Sequence, residues 1–206
     1  MACLLGSIPG RAPNFNLKYM SHFITLVFVN EAESNLDELL EPYDEQTHDK
    51  KYLLFVDQTE EVLEKFESLN EEDKKKYTTV DQLADEYFMY DIVDGKYGYY
   101  QNPQAQWDWW SIGGRWADYI KKKDGTSCDY CKFDDIDWDK MSTPFAFIET
   151  DGSWKSRGEM LWWAQVKDEK KEDVWKKMMS DYVATVNSYS DEIKDNIMVY
   201  AIDMHI

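Results

Sequence analysis

Hydrophobic and polar residues along this chain form blocks that predict strands early and late in the sequence, with helices between them. His22 to Val29 is rich in β-branched and aromatic residues and predicts a central strand. Ile197 to Ile206 has the same character and predicts a second one. Lys171 to Tyr189 predicts a long amphipathic helix, because apolar residues recur every three to four positions at Trp175, Met178, Tyr182 and Val186.

Shorter elements are predicted between these segments. Leu36, Leu39 and Leu40 suit a short helix that stops at Pro42. A strand is predicted over Tyr52–Val56. Helical spacing of apolar residues follows it twice, at Val62, Leu63, Phe66 and Leu69, and at Val80, Leu83, Ala84, Tyr87 and Phe88.

A hairpin is predicted at 150–153, after a strand over Phe145–Thr150, because the turn contains Asp-Gly. Its return strand begins at Trp154 or is delayed to Met160–Val166. The order strand, helices, strands, helix, strand predicts an α+β fold, a mainly antiparallel sheet with helices packed on one face. A ferredoxin-like arrangement is one such fold.

The length of 206 residues predicts a single α+β domain over 20–206. Residues 1–19 lack periodicity and predict a flexible tail or extension, with Met20 as the natural start. No apolar run approaches the ~20 residues that cross a bilayer. These features predict a cytoplasmic protein.

The net charge of −18 argues against direct binding to nucleic acid, whose phosphates attract cationic proteins. Residues 31–49 carry eight acids and no Lys or Arg. Such a face suits a basic partner, and the candidate contacts are Glu38, Glu41, Asp44 and Glu45. A solvated surface that keeps the protein soluble explains the same acids.

The cysteines Cys3, Cys128 and Cys131 are too few for a disulfide scaffold. Cys128 and Cys131 form a CxxC, but structural zinc needs four ligands and the sequence has no second CxxC. We therefore predict no metal and no cofactor.

Residues 107–116 are the main candidate site, because four tryptophans, a Gly-Gly pair, an Arg and an Asp fall within ten residues. As an extended chain, Trp107 and Trp109 would share one face. Arg115 and bare glycine amides suit a carboxylate or phosphate, and indoles stack on flat rings. The candidate ligand-binding residues are Trp107, Asp108, Trp109, Trp110, Gly113, Gly114, Arg115 and Trp116.

A structural explanation of this segment is equally open. Tryptophans fill cores, Gly-Gly forms tight turns, and Arg115 can pair with Asp108 inside the protein.

Evidence for an enzyme is sparse in the sequence, which has no GxSxG and no HExxH motif. The candidate acid–base groups are His22, His205, Glu159 and Asp108. His22 and His205 would be neighbours on one sheet if the first and last predicted strands pair. A satisfied structural role is the alternative for each histidine.

Several motifs together resemble a family of phage and bacterial proteins with the pattern MSHF…LxPYDE…NPxAKWDWYxIGGRW…GEM…DxHI. The resemblance covers about residues 20–206, and its most specific part is WDW followed by IGGRW. Gln106 and Trp110 depart from the pattern, which has Lys and Tyr there. The resemblance implies a phage-associated context in a host cytoplasm and no particular reaction.

These observations favour a non-enzymatic binding protein that sequesters a small anionic or nucleotide-like ligand at 107–116, to counter host defence. One alternative is an acidic inhibitor or nucleic-acid mimic that docks on a basic site of a host complex. A second alternative is a nucleotide-modifying enzyme.

Overall fold

The computed structural model describes residues 21–161 and 165–206. The predictions for residues 1–19, Met20 and Cys3 lie outside this part of the chain. The described residues form two compact units, one over His48–Pro103 and one over 21–47 together with Gln104–Ile206. The single domain over 20–206 stays a prediction.

The chain contains short strands and helices in alternation. The strands are β1 (His22–Asn30), β2 (Leu54–Asp57), β3 (Asp91–Val93), β4 (Lys96–Gln101), β5 (Trp109–Ile112), β6 (Ile120–Lys121), β7 (Ser127–Cys128), β8 (Tyr130–Lys132), β9 (Ala146–Ile148), β10 (Trp154–Ser156), β11 (Glu159–Leu161), β12 (Gln165–Lys167) and β13 (Ile197–His205). The helices are α1 (Leu36–Leu40), α2 (Thr59–Glu67), α3 (Asp73–Lys76), α4 (Val80–Leu83), α5 (Glu172–Asn187) and α6 (Asp191–Lys194). Among these described helices, none is long and apolar enough to span a bilayer.

The larger unit is organised around β1 and β13, which pair antiparallel along their whole length from His22 opposite His205 to Asn30 opposite Ile197. The sheet order is β10-β9-β1-β13-β5, and β8 also pairs with β13. Strand β9 runs parallel to β1, whereas the other pairs of this sheet are antiparallel. The predicted α+β fold with a mainly antiparallel sheet is confirmed.

Helix α5 covers one face of this sheet, as its apolar stripe predicts. Its buried residues pack with alternate residues of β1, namely Ile24, Leu26 and Phe28. Trp175, 1% exposed, donates from Nε1 to Pro144 O over 2.7 Å, so its one polar atom is satisfied. On the opposite face, α1 packs its leucines against the other residues of β1, Phe23, Val27 and Val29.

The turn predicted at 150–153 is confirmed, because β10 begins at Trp154 and pairs antiparallel with β9. The later segment instead forms the separate hairpin of β11 and β12.

The smaller unit consists of the sheet β2-β4-β3 with α2, α3, α4 and a π-helical turn at Ala84–Phe88. Thr79 caps α4, as predicted, by accepting from the Gln82 amide over 3.1 Å. A small apolar core holds the unit together, formed by Val62, Leu69, Tyr77, Leu83 and Ala84.

The buried Tyr182 phenol predicts a loss of stability in alkali. Burial raises the pKa of Tyr182 to about 12 from its ordinary value near 10, and its oxygen accepts from the Thr150 amide. The unfolded chain ionises first, so this contribution is complete below pH 10 and is lost as the pH rises toward 12. We expect urea denaturation to show a decline of about 2 kcal/mol from this group. Tyr182→Phe should flatten the decline, whereas Tyr130→Phe, at a side chain that is 54% exposed, should leave it unchanged.

Candidate functional site

Two histidines lie side by side where β1 begins and β13 ends. His205 is paired with His22 on one side and with Trp109 of β5 on the other. Opposed residues of antiparallel strands project to the same face, so the three rings form a row. The ring centroids of His22 and His205 are 5.0 Å apart, and those of His22 and Trp109 are 6.2 Å apart. The prediction that the histidines are neighbours on one sheet is confirmed.

A carboxylate holds each histidine. His22 Nδ1 lies 2.8 Å from Asp203 Oδ1, and His205 Nδ1 lies 2.5 Å from Asp108 Oδ1. An ionised carboxylate only accepts hydrogen bonds, so Nδ1 carries the proton in both cases. In the neutral ring, Nε2 then holds a lone pair. We call His22 with Asp203, and His205 with Asp108, the two His–Asp pairs.

The second nitrogen of His205 is buried without a partner. His205 is 5% exposed, and no hydrogen bond reaches its Nε2 from the described residues. Burying an unsatisfied polar atom costs about 1–3 kcal/mol. A catalytic role, or a bound group that satisfies the atom, accounts for such a cost. The His22 side chain is 13% exposed, so the row is more open on its side.

A glycine turn closes over Asp203. Gly113 and Gly114 have φ values of +70° and +53°, which glycine adopts readily. A Cβ on Gly114 would lie 2.5 Å from Asp203 Oδ2, so the close approach also requires glycine. The next amide, Arg115 N, donates to Oδ2 over 2.8 Å. Asp203 is 1% exposed and uses both of its oxygens, one on His22 and one on this turn.

The Gly113 amide is not bare, contrary to the sequence prediction. It donates to Ala201 O over 2.9 Å, because the turn continues the pairing of β5 with β13. An approaching anion therefore cannot use it.

Trp107 and Trp109 do not share a face, which corrects the prediction from alternation. Strand β5 begins only at Trp109, and Trp107 forms a bridge with Asp44 instead. Trp107 is 6% exposed and packs with Trp110 in the apolar cluster on the α1 side of the sheet. Trp116 packs in the cluster on the α5 side. Only Trp109, which is 50% exposed, presents a large open indole surface in this segment.

Arg115 is anchored by its backbone, and its side chain is exposed. Its guanidinium has no ion pair within the described residues, and Asp108 is occupied by His205. The Arg115–Asp108 pair considered as a structural explanation does not form. A guanidinium near two imidazoles and an exposed indole is suited to an anionic group attached to a flat ring.

The acidic candidates lie on α1 and the turn that follows it. Glu38 belongs to a capping box with Asn35, and Asp44 accepts from the Gln46 amide over 2.8 Å. Glu41 is half-buried, whereas Glu45 is exposed. Two of the four carboxylates thus have local structural roles.

The other candidates lie away from the histidine row. Glu159 pairs with Lys167 across the β11–β12 hairpin, at 2.9 Å. Burial raises the pKa of the Cys131 thiol to about 12, with a further contribution from its hydrogen bond to Cys128. In residues 21–161 and 165–206, no three His, Cys, Asp or Glu side chains form a group able to hold a metal ion.

The site is an open surface at the end of the sheet. Two cavities, of about 430 and 460 Å³, lie elsewhere, one against α5 and one on the smaller unit, and neither is lined by the histidine row.

Sequence reasoning missed Asp203, although a signal was present. Asp203 and His205 are two residues apart in a predicted strand, and that spacing places them on one face. Comparison with known proteins adds no further residue. No protein-family model matches this chain, and no curated protein or solved structure is significantly similar to it.

Proposed function

We propose that this protein binds a small anionic ligand with a flat ring, of the nucleotide type, at the end of the sheet. The unpartnered and buried Nε2 of His205 is the observation that carries the proposal. A ligand group that hydrogen-bonds to this atom offsets the cost of burying it.

Three groups divide the recognition. The unpaired guanidinium of Arg115 binds the anionic group, since its planar fork matches phosphate and carboxylate oxygens. The indole of Trp109 stacks on the ring of the ligand. The histidine row provides hydrogen bonds between these two contacts. Trp107, Trp110 and Trp116 support the surface from the core and do not touch the ligand.

The fixed charge of the protein disfavours an anion at long range, because the net charge is −18. Affinity then depends on short-range contacts, and added salt should weaken it little. Sequestration of such a ligand in a host cytoplasm is the counter-defence role suggested by the resemblance to phage proteins.

The alternative proposal is docking of the acidic face onto a basic protein. The exposed carboxylates of Glu31, Glu33, Asp37, Glu38 and Glu45 favour it. Binding of this kind should weaken steeply with salt.

Calorimetric titration with a panel of mono-, cyclic and dinucleotides tests the first proposal. We expect Trp109→Ala and Arg115→Ala each to weaken the best ligand by about tenfold or more, since stacking on one base contributes roughly 1–3 kcal/mol. Matched controls are Tyr130→Ala, at another exposed aromatic residue, and Lys132→Ala, at an exposed cation on β8. Both should bind like the wild type.

Two results would contradict the proposal. One is a wild-type protein that binds no member of the panel. The other is wild-type affinity in folded Trp109→Ala and Arg115→Ala variants. Combined reversal of Glu38, Glu41 and Glu45 to Lys should leave nucleotide binding intact, and it should abolish a complex formed through the acidic face.

A further inference from the structure

We infer that the two His–Asp pairs are an acid–base pair that hydrolyses a phosphoester bond in the bound ligand. The inference rests on the proposed function and deepens it, since it assigns a reaction to the same surface. The carrying observation is the juxtaposition of two imidazoles, 5.0 Å apart, each with its Nδ1 on a carboxylate.

His205 is suited to be the general base. Its bond to Asp108 keeps the proton on Nδ1, so the lone pair stays on Nε2. That nitrogen is buried and has no partner in the described residues, so nothing competes with a water molecule for it. A carboxylate behind a histidine also stabilises the imidazolium that forms when the ring accepts a proton.

His22 is suited to be the general acid. Its Nδ1 is fixed by the buried Asp203, and its side chain is the more exposed of the two, next to Trp109. A protonated His22 presents an N–H from Nε2 to a leaving group that departs toward the open side. One small group between the rings can reach both, because proton transfer needs separations of about 2.6–3.2 Å.

The reaction balances with water as the only co-reactant. His205 Nε2 takes a proton from water as the water oxygen forms a bond to phosphorus. The bond from phosphorus to the leaving oxygen breaks with its electron pair, and that oxygen takes the proton from His22 Nε2. The products are a phosphate and an alcohol. Exchange with solvent then returns a proton to His22 and removes one from His205.

The other polar groups orient these two rings. Asp203 cannot act as a base, since both of its oxygens accept hydrogen bonds from His22 and Arg115 N. It and Asp108 are positioning residues. The Arg115 guanidinium is the cation that balances charge on the phosphoryl oxygens in the transition state.

The test uses the full chain with bis(4-nitrophenyl) phosphate and the nucleotide panel as probes. We expect the wild type to release 4-nitrophenol above the buffer rate, and His205→Ala and His22→Ala each to lower kcat by about 100-fold or more. The matched control is His48→Ala, which removes the exposed third histidine of the sequence and should leave the rate unchanged. Asp108→Asn should lower kcat, leave KM unchanged and alter the pH profile, which a merely structural role would not do.

Several outcomes overturn the inference. A wild type without turnover of any probe does so, and if it still binds nucleotides through Trp109 and Arg115, the proposed function stands alone. Wild-type rates in folded His205→Ala and His22→Ala do so as well. Activity that a chelator abolishes and a divalent metal restores assigns the chemistry to a metal instead. If either alanine variant fails to fold, His205→Gln and His22→Gln replace them, and partial rescue by added imidazole supports the acid–base roles.

Discussion

Asp203→Ala is expected to lower the free energy of unfolding by about 3 kcal/mol, since hydrogen bonds to a charged group contribute roughly 1.5–3 kcal/mol each. The Asp203 carboxylate is 1% exposed and joins His22 Nδ1 to Arg115 N, each at 2.8 Å. Removing it leaves the Arg115 amide and the His22 ring without their partner. Urea denaturation followed by circular dichroism measures the change.

Two companion variants sharpen this result. Asp203→Asn keeps an oxygen for the Arg115 amide, so it should lose about half as much stability. Asp139→Ala removes an exposed carboxylate and should stay within about 0.5 kcal/mol of wild type. If Asp203→Ala is as stable as Asp139→Ala, the buried carboxylate does not hold the glycine turn.

Gly114→Ala is expected to destabilise the protein by about 3 kcal/mol, the sum of two effects. A side chain at φ +53° costs about 1–2 kcal/mol. The new methyl group would also lie 2.5 Å from Asp203 Oδ2 and 2.7 Å from Ser111 Oγ, and overpacking of this kind costs about 1–3 kcal/mol. The midpoint of thermal or urea unfolding reports the loss.

Gly125→Ala is the matched control, because Gly125 has φ +86° but nothing within 4 Å of its added Cβ. It should show the backbone strain alone, about 1 kcal/mol. Equal losses in the two variants would mean that the Asp203 side chain moves aside freely.

The strands that carry the two histidines are predictable from sequence, and so is helix α5. A run of β-branched and aromatic residues from His22, and another from Ile197, leave little choice of conformation for strands buried on both faces. Trp175, Tyr182 and Val186 mark the buried stripe of α5. In each case the local pattern and the tertiary packing agree.

The detailed role of the tryptophan-rich segment is not predictable, since it depends on partners far away in sequence. Trp107 leaves the strand because Tyr43 O accepts from the Gln106 and Trp107 amides and Glu45 N donates to Trp107 O. No local feature of 102–110 shows this. Which carboxylate meets which ring is equally non-local, so Asp108 is expected to pair with Arg115 from sequence and pairs with His205 in the structure.

Joining the first strand to the last has a consequence for biosynthesis. His22 and Asp203 are 181 positions apart, and the nearest neighbours of His22 in the histidine row all come from later parts of the chain. A nascent polypeptide that has not yet emerged beyond residue 197 from the ribosome has half of the row and no β13 to organise it. Closing so long a loop is slow compared with making local contacts. The histidine row is therefore expected to assemble only after translation of the last strand, so incomplete translation products would lack it.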